Sequence, residues 1–206
     1  MTALADKVAL LTGALGSLGQ AQADALAREG ASLILWDRPG RPDGDAFASG
    51  LAQKHGARAR YVGADLGDLA ASEAATRALA EEHGGIDILI NNAALIINRP
   101  FEEFSLQEYE DQIRVNSSAA FALARAVTPS MKRKGYGKIV NFCSVTLNGR
   151  WDGYVPYVTS KGALFGLKPS PGHVQGDCQS ALVLHDPRPR RMNSYLLRGQ
   201  PRSGAG

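Results

Sequence analysis

The stretch Tyr157-Val-Thr-Ser-Lys161 carries the residue types and spacing that most directly imply chemistry. On a helix, positions i and i+4 share one face, so the phenol and the ammonium can point into one site. A cation beside a phenol favours phenolate and lowers its pKa, from an ordinary value of about 10. A tyrosine tuned in this way can give or take a proton as a hydride moves. Tyr154 has Val158 at the equivalent offset and cannot play this part. The bland alternative is a surface helix that carries a tyrosine and a lysine by chance.

A second constellation is Thr12-Gly13-Ala14-Leu15-Gly16-Ser17-Leu18-Gly19. Glycines at Gly13, Gly16 and Gly19 allow a tight turn and let a pyrophosphate approach the backbone of Ser17 and Leu18. The N-terminus of a following helix would favour its negative charge. Glycines also cluster at turns for purely conformational reasons. Asp37 lies eighteen residues beyond Gly19, a spacing at which a carboxylate can hold ribose hydroxyls. An acidic group there repels a 2′-phosphate and points to NAD rather than NADP, although the adjacent Arg38 is what a 2′-phosphate would want.

The elements needed to position these residues are legible as an alternation. Apolar runs at Lys7 to Thr12, Ala31 to Trp36, Ala57 to Val62, Ile86 to Ile90 and Lys138 to Phe142 fit buried parallel strands. Helical patterns cover Leu18 to Gly30, Ala46 to His55 and Asp68 to His83 between them. Ser105-Leu-Gln-Glu108 has capping-box spacing, and it opens a long helix towards Arg125, with Pro129 near its end or starting the next turn. A further helix begins at Pro156 and reaches Leu167. Strands alternating with such helices imply right-handed crossovers and an α/β, Rossmann-type, doubly wound parallel sheet.

Taken in order, these motifs resemble the short-chain dehydrogenase/reductase family from about Lys7 to Leu167. They are Thr12–Gly19, Asp65 after the third strand, Asn91-Asn92-Ala93 after the fourth, Asn116 on the long helix, Ser144 after the fifth strand, and Tyr157 with Lys161. The resemblance implies NAD(P)-dependent hydride transfer between the cofactor and a small secondary alcohol or ketone. It implies Tyr157 as acid/base, with Lys161 lowering its pKa and binding the nicotinamide ribose. Ser144 would hydrogen-bond the substrate oxygen, and Asn116 would hold a water in the proton path. Asp65, with Leu66, would meet the adenine, while Asn91 and Ala93 line the cofactor groove. Each polar residue also has a plain structural reading: Asn91 as the cap of a strand end, Ser144 as a turn hydroxyl, Asp65 as a helix start. Cys143 reads as a small buried hydrophobe. The family generally forms dimers and tetramers, so the resemblance implies a homo-oligomer.

Two positions depart from the usual family pattern: Ser17 stands where glycine is common, and Ala94 likewise. Gly16 gives a spacing shared with the extended, epimerase-like branch. Leu95, Ile96, Ile97, Val145, Leu147, Trp151 and Tyr154 flank the site and suggest an apolar or aromatic substrate, unless they serve packing alone.

After Leu167 the pattern changes abruptly. Lys168-Pro-Ser-Pro-Gly172 breaks the helix, since proline removes donors and clashes with the preceding turn. Half of the ten prolines lie in this tail, whose Pro/Arg/Gly/Ser composition reads as disordered. We therefore expect an incomplete dinucleotide-binding domain over 1–167 and a non-family tail over 168–206, from a frameshift or a mistaken gene boundary. In this reading the sheet lacks the family's last strands and ends with an open edge, and a non-catalytic cofactor-binding remnant is the alternative function.

Charge and composition exclude other classes. The tail holds six basic residues against Asp177 and Asp186, while the first 167 residues carry 17 basic and 18 acidic groups. The body thus offers no basic footprint for nucleic acid. His55, His83, His173 and His185 have no ligand spacing, so no metal site is expected. Two cysteines make no disulfide framework. The start shows no leader pattern, no run is long enough for a membrane span, and the chain reads as cytoplasmic.

Overall fold

A computed structural model describes residues 2–149 and 151–167 in full, and the backbone of 177–185 and 195–197. Five parallel strands, β1 (Val8–Thr12), β2 (Ser32–Asp37), β3 (Ala59–Gly63), β4 (Ile88–Asn91) and β5 (Tyr136–Ser144), form the body of the sheet. Their spatial order is β3-β2-β1-β4-β5. The chain moves outward from β1 to β3, then jumps back across the sheet to β4. That reversal opens a crevice beyond the C-terminal ends of β1 and β4, the place where ligands settle in such sheets.

The strand sequences are apolar on both faces because helices cover both. Successive side chains alternate across a strand. Ala9, Leu11, Leu33, Leu35, Ile88 and Ile90 therefore share one core with α1 (Ser17–Arg28) and α2 (Gly44–His55), through Ala23, Ala27, Ala48 and Leu51. Val8, Leu10, Ile34, Trp36, Leu89 and Ile139 face the other core. There α3 (Leu69–Glu82) contributes Leu79 and Ala80, and α5 (Ala119–Lys134) contributes Leu123, Val127 and Met131. The remaining helices are α4 (Leu106–Ile113) and α6 (Val155–Gly166).

The expected capping box opens α4: Ser105 Oγ accepts from Glu108 N at 3.2 Å, and Glu108 Oε2 accepts from Ser105 N at 2.9 Å. The single long helix expected after it is interrupted. Arg114–Ser118 winds as a π turn between α4 and α5. Proline does not end the second part, which carries Pro129 inside it and reaches Lys134. Only one donor is lost there, and the neighbouring Thr128 and Ser130 hydroxyls donate to the carbonyls of Ala124 and Val127.

The sheet does not stop at β5 as expected. The backbone of β6 (Asp177–His185) pairs parallel with the whole of β5, and β7 (Tyr195–Leu197) pairs antiparallel with β6. The physical reason is the edge itself: an unpaired strand offers a row of N–H and C=O groups. The apolar run Ala181 to Leu184 lies within β6, opposite Val140 to Cys143 of β5. The reading of the rest of the tail, 168–176, 186–194 and 198–206, lies outside the described residues.

Candidate active site

A groove of about 700 Å³ lies over the crevice. Its walls begin with the glycine turn. Gly13 adopts φ +65°, and a Cβ there would stand 2.9 Å from Ala93 Cα. At Gly19 a Cβ would meet Gly13 O at 2.1 Å, so helix α1 can approach the turn only because this residue is glycine. Gly16, by contrast, meets nothing closer than 3.5 Å within the protein. The N-cap of α1 is Gly16 with no side-chain cap, so the first N–H groups of Ser17, Leu18 and Gly19 are left for an anion. Ser17 itself lines the groove without closing it. These features fit the pyrophosphate of a dinucleotide.

The floor of the turn is fixed by Thr12 and Asn92, which stand inside the two motifs but carry no role of their own in the sequence. Thr12 Oγ1 accepts from Asn92 N and Ala93 N, both at 3.1 Å, and donates to Ile90 O at 3.3 Å. Asn92 Nδ2 donates to Thr12 O at 3.0 Å and to Gly13 O at 3.1 Å. Asn92, not Asn91, lines the groove. Asn91 is buried behind it, where its amide donates to Asn141 Oδ1 at 2.8 Å. The sequence signal was present as an Asn-Asn pair, and strand alternation puts the two on different sides.

Near the end of β2, Asp37, Asp65 and Leu66, and with them Ala93, all line the groove. The Asp37 carboxylate accepts from Leu15 N and Arg38 N, each at 2.8 Å, which anchors it between the glycine turn and the end of β2. Asp65 Oδ1 accepts from Gly67 N at 2.8 Å in a local turn. Arg38 and Arg41 also line this end. Arg41 was not singled out from sequence; it pairs with Asp43 at 2.7 Å, which raises the Arg41 pKa above its ordinary value.

At the other end, Tyr157 and Lys161 project from α6 into the groove beside Phe142 and Cys143 of β5. Both are nearly inaccessible, at 1% and 2% exposure. Lys161 Nζ donates to Phe142 O at 2.6 Å and stands 5.7 Å from the Tyr157 ring centroid. Burial pulls the ammonium down to about 8. Burial also dominates the phenol, pushing it up to about 12, while the Ser144 hydroxyl pulls the other way. The expected lowering of the phenol by Lys161 does not appear in the protein alone: desolvation sets the direction, and the opposing pull comes from Ser144. Ser144 sits at the end of β5 and is fully buried, with Oγ accepting from Thr146 N at 3.2 Å and Thr146 Oγ1 at 2.9 Å.

The π turn supplies the fourth polar residue. Asn116 Oδ1 accepts from Leu95 N at 2.6 Å, and its Nδ2 donates to Leu95 O and Ser160 Oγ, both at 2.9 Å. Ser160 Oγ in turn donates to Tyr157 O at 2.7 Å. Asn116 thus ties the loop after β4 to the helix that bears Tyr157. Of the suggested apolar wall, Leu95 and Ile96 reach the groove, whereas Leu147 packs against Ala120, Cys143 and Leu164. Among the described residues no group of three potential metal ligands occurs, and no helix is long and apolar enough to cross a membrane. The side chains of His173 and His185 lie outside the described residues.

A glycine turn at the switch point of a doubly wound sheet faces a buried tyrosine and lysine one helical turn apart, which places the chain in the class of α/β folds built like dinucleotide-binding domains. Residues 7–172 match the short chain dehydrogenase family, and the chain belongs to it. D-threitol dehydrogenase of Mycolicibacterium smegmatis is 37% identical over 161 residues, which is 78% of this chain and 61% of that protein. Gluconate 5-dehydrogenase of Gluconobacter oxydans is 38% identical over 159 residues, 77% and 61% of the two chains. Among solved structures, NAD+-bound xylitol dehydrogenase superposes with a TM-score of 0.74 at 30% identity, covering 81% of this chain and 64% of that one. A Beutenbergia cavernae protein assigned as an NAD(P)-dependent gluconate 5-dehydrogenase, with NADP at low occupancy, gives a TM-score of 0.81 at 32% identity, covering 89% and 73%. The chain spans about 61% of the length of these curated relatives.

Proposed function

We propose that the protein transfers a hydride between NAD(H) and a secondary alcohol or ketone of a small polyol or sugar acid. The observation that carries this reading is the buried Tyr157–Lys161 pair at one end of a groove whose other end is a glycine-lined, uncapped helix N-terminus. The polyol class rests on the relatives named for threitol, gluconate and xylitol, and replaces the apolar substrate suggested by sequence.

A bound nicotinamide supplies or accepts the hydride. The chain's own residues handle the proton and the positioning. At neutral pH the Tyr157 phenol, pushed up to about 12, is protonated and ready to donate to a carbonyl oxygen being reduced. Ser144 supplies a second donor as negative charge develops on that oxygen. Lys161, with its ammonium held on Phe142 O, offers its remaining donors to the cofactor's ribose. Asn116 fixes the loop and helix that frame the site.

Preference for NAD is assigned to Asp37, whose charge opposes a 2′-phosphate, against the pull of Arg38 and Arg41. The test is cofactor reduction over D-threitol, xylitol and gluconate with NAD and with NADP, beside NADH-binding titration. Turnover with NAD supports the proposal. Tight NADH binding with no turnover on any alcohol favours the non-catalytic remnant, and absence of binding overturns both. Asp37→Ala should weaken NAD more than NADP; an equal loss contradicts the ribose role.

A further inference from the structure

The hydroxyl of Ser144 has two acceptor lone pairs and one proton to give. Both lone pairs are occupied by the same neighbour, since Thr146 donates its backbone N–H at 3.2 Å and its own hydroxyl at 2.9 Å. Ser144 and Thr146 are buried, at 0% and 1% exposure, so bulk water does not compete for these positions. The backbone bond alone is an ordinary cap on the short 3₁₀ turn Val145–Asn148, and any residue at 146 except proline supplies it. The side-chain bond is different, because it depends on the residue type. With both acceptor positions filled by Thr146, the Ser144 proton points away from that residue.

We infer that Thr146 is a positioning residue which, through its side-chain hydroxyl, locks Ser144 as a donor towards the Tyr157 phenol in the free protein, the same proton being passed to the oxygen of the reacting substrate once that is bound. The inference rests on the reading of Ser144 and Tyr157 given above. Without the Thr146 hydroxyl, the freed lone pair lets the Ser144 rotor turn, and its proton no longer has a fixed direction. The motif reading gave Thr146 no role, since the dipeptide after Ser144 is only a turn in sequence.

The experiment requires neither turnover nor a known substrate. Protein labelled with 13C at tyrosine Cζ gives one resonance for each of the six tyrosines, and Tyr157→Phe identifies the one that matters. Its position reports the hydrogen bond received by the phenol oxygen. Thr146→Val should move it towards the position it takes in Ser144→Ala, and Thr146→Ser should restore it. Thr146→Ala serves in the same way if the valine variant does not fold. A wild-type resonance in Thr146→Val or Thr146→Ala, with a clear shift in Ser144→Ala, overturns the role of Thr146 alone. No shift in Ser144→Ala removes the Ser144–Tyr157 contact itself, and the inference with it.

Discussion

At the residue scale, Tyr157 and Lys161 are both driven away from their charged forms by burial. The phenol is pushed to about 12 and the ammonium is pulled to about 8. For Lys161 the linkage has a definite sign. Between pH 8 and its ordinary 10.5 the unfolded chain binds more protons than the folded one, so stability contributed by this site rises with pH through that window. Tyr157 acts oppositely: between pH 10 and 12 the folded chain holds the extra proton, and stability falls as pH rises. Thermal melts of wild type and Lys161→Met should therefore converge or cross between pH 8 and 10; parallel curves would contradict a buried cation. Tyr157→Phe should reduce turnover by about 10²-fold or more, the usual scale for a lost acid/base, while NADH titration shows nearly unchanged binding. Retained turnover would move the acid/base role elsewhere.

At the scale of elements, the glycine turn and the π turn make opposite points about legibility. The turn was readable because close packing demands glycine. A Cβ at position 19 would stand 2.1 Å from Gly13 O, against backbone that cannot yield cheaply. Gly19→Ala should thus cost about 1–3 kcal/mol, the scale of overpacking, and should weaken NADH binding, as melting and titration can check. The π turn was not readable. Helical spacing continues across Arg114–Ser118, and a single inserted register leaves the apolar pattern on either side almost intact. The one trace was a buried-type position occupied by Asn116, whose partners Leu95 and Ser160 lie far away in sequence. Long-range pairing of this kind carries no local periodicity.

At the scale of the whole molecule, five strands and their helices were legible because apolar runs of strand length recur between helical patterns. Both cores then follow from simple alternation. The last two strands were not legible, since their pairing is set by the open edge of β5 more than by their own pattern. Removing residues 168–206 should leave Tyr136–Ser144 unpaired along that edge. Size-exclusion chromatography and melting should then show self-association and a lower transition temperature, on the usual reasoning for bare edges. An equally stable, monodisperse truncation would mean that β6 contributes little.

The web joining Thr12, Asn92 and Gly13 has a thermodynamic consequence. Because the bed of the glycine turn, where we propose the pyrophosphate binds, is riveted by the protein's own bonds, little conformational freedom would remain to be lost there when a dinucleotide docks. Calorimetry should then record a heat-capacity change accounted for by the covered apolar surface, with no added signature of a segment folding upon arrival.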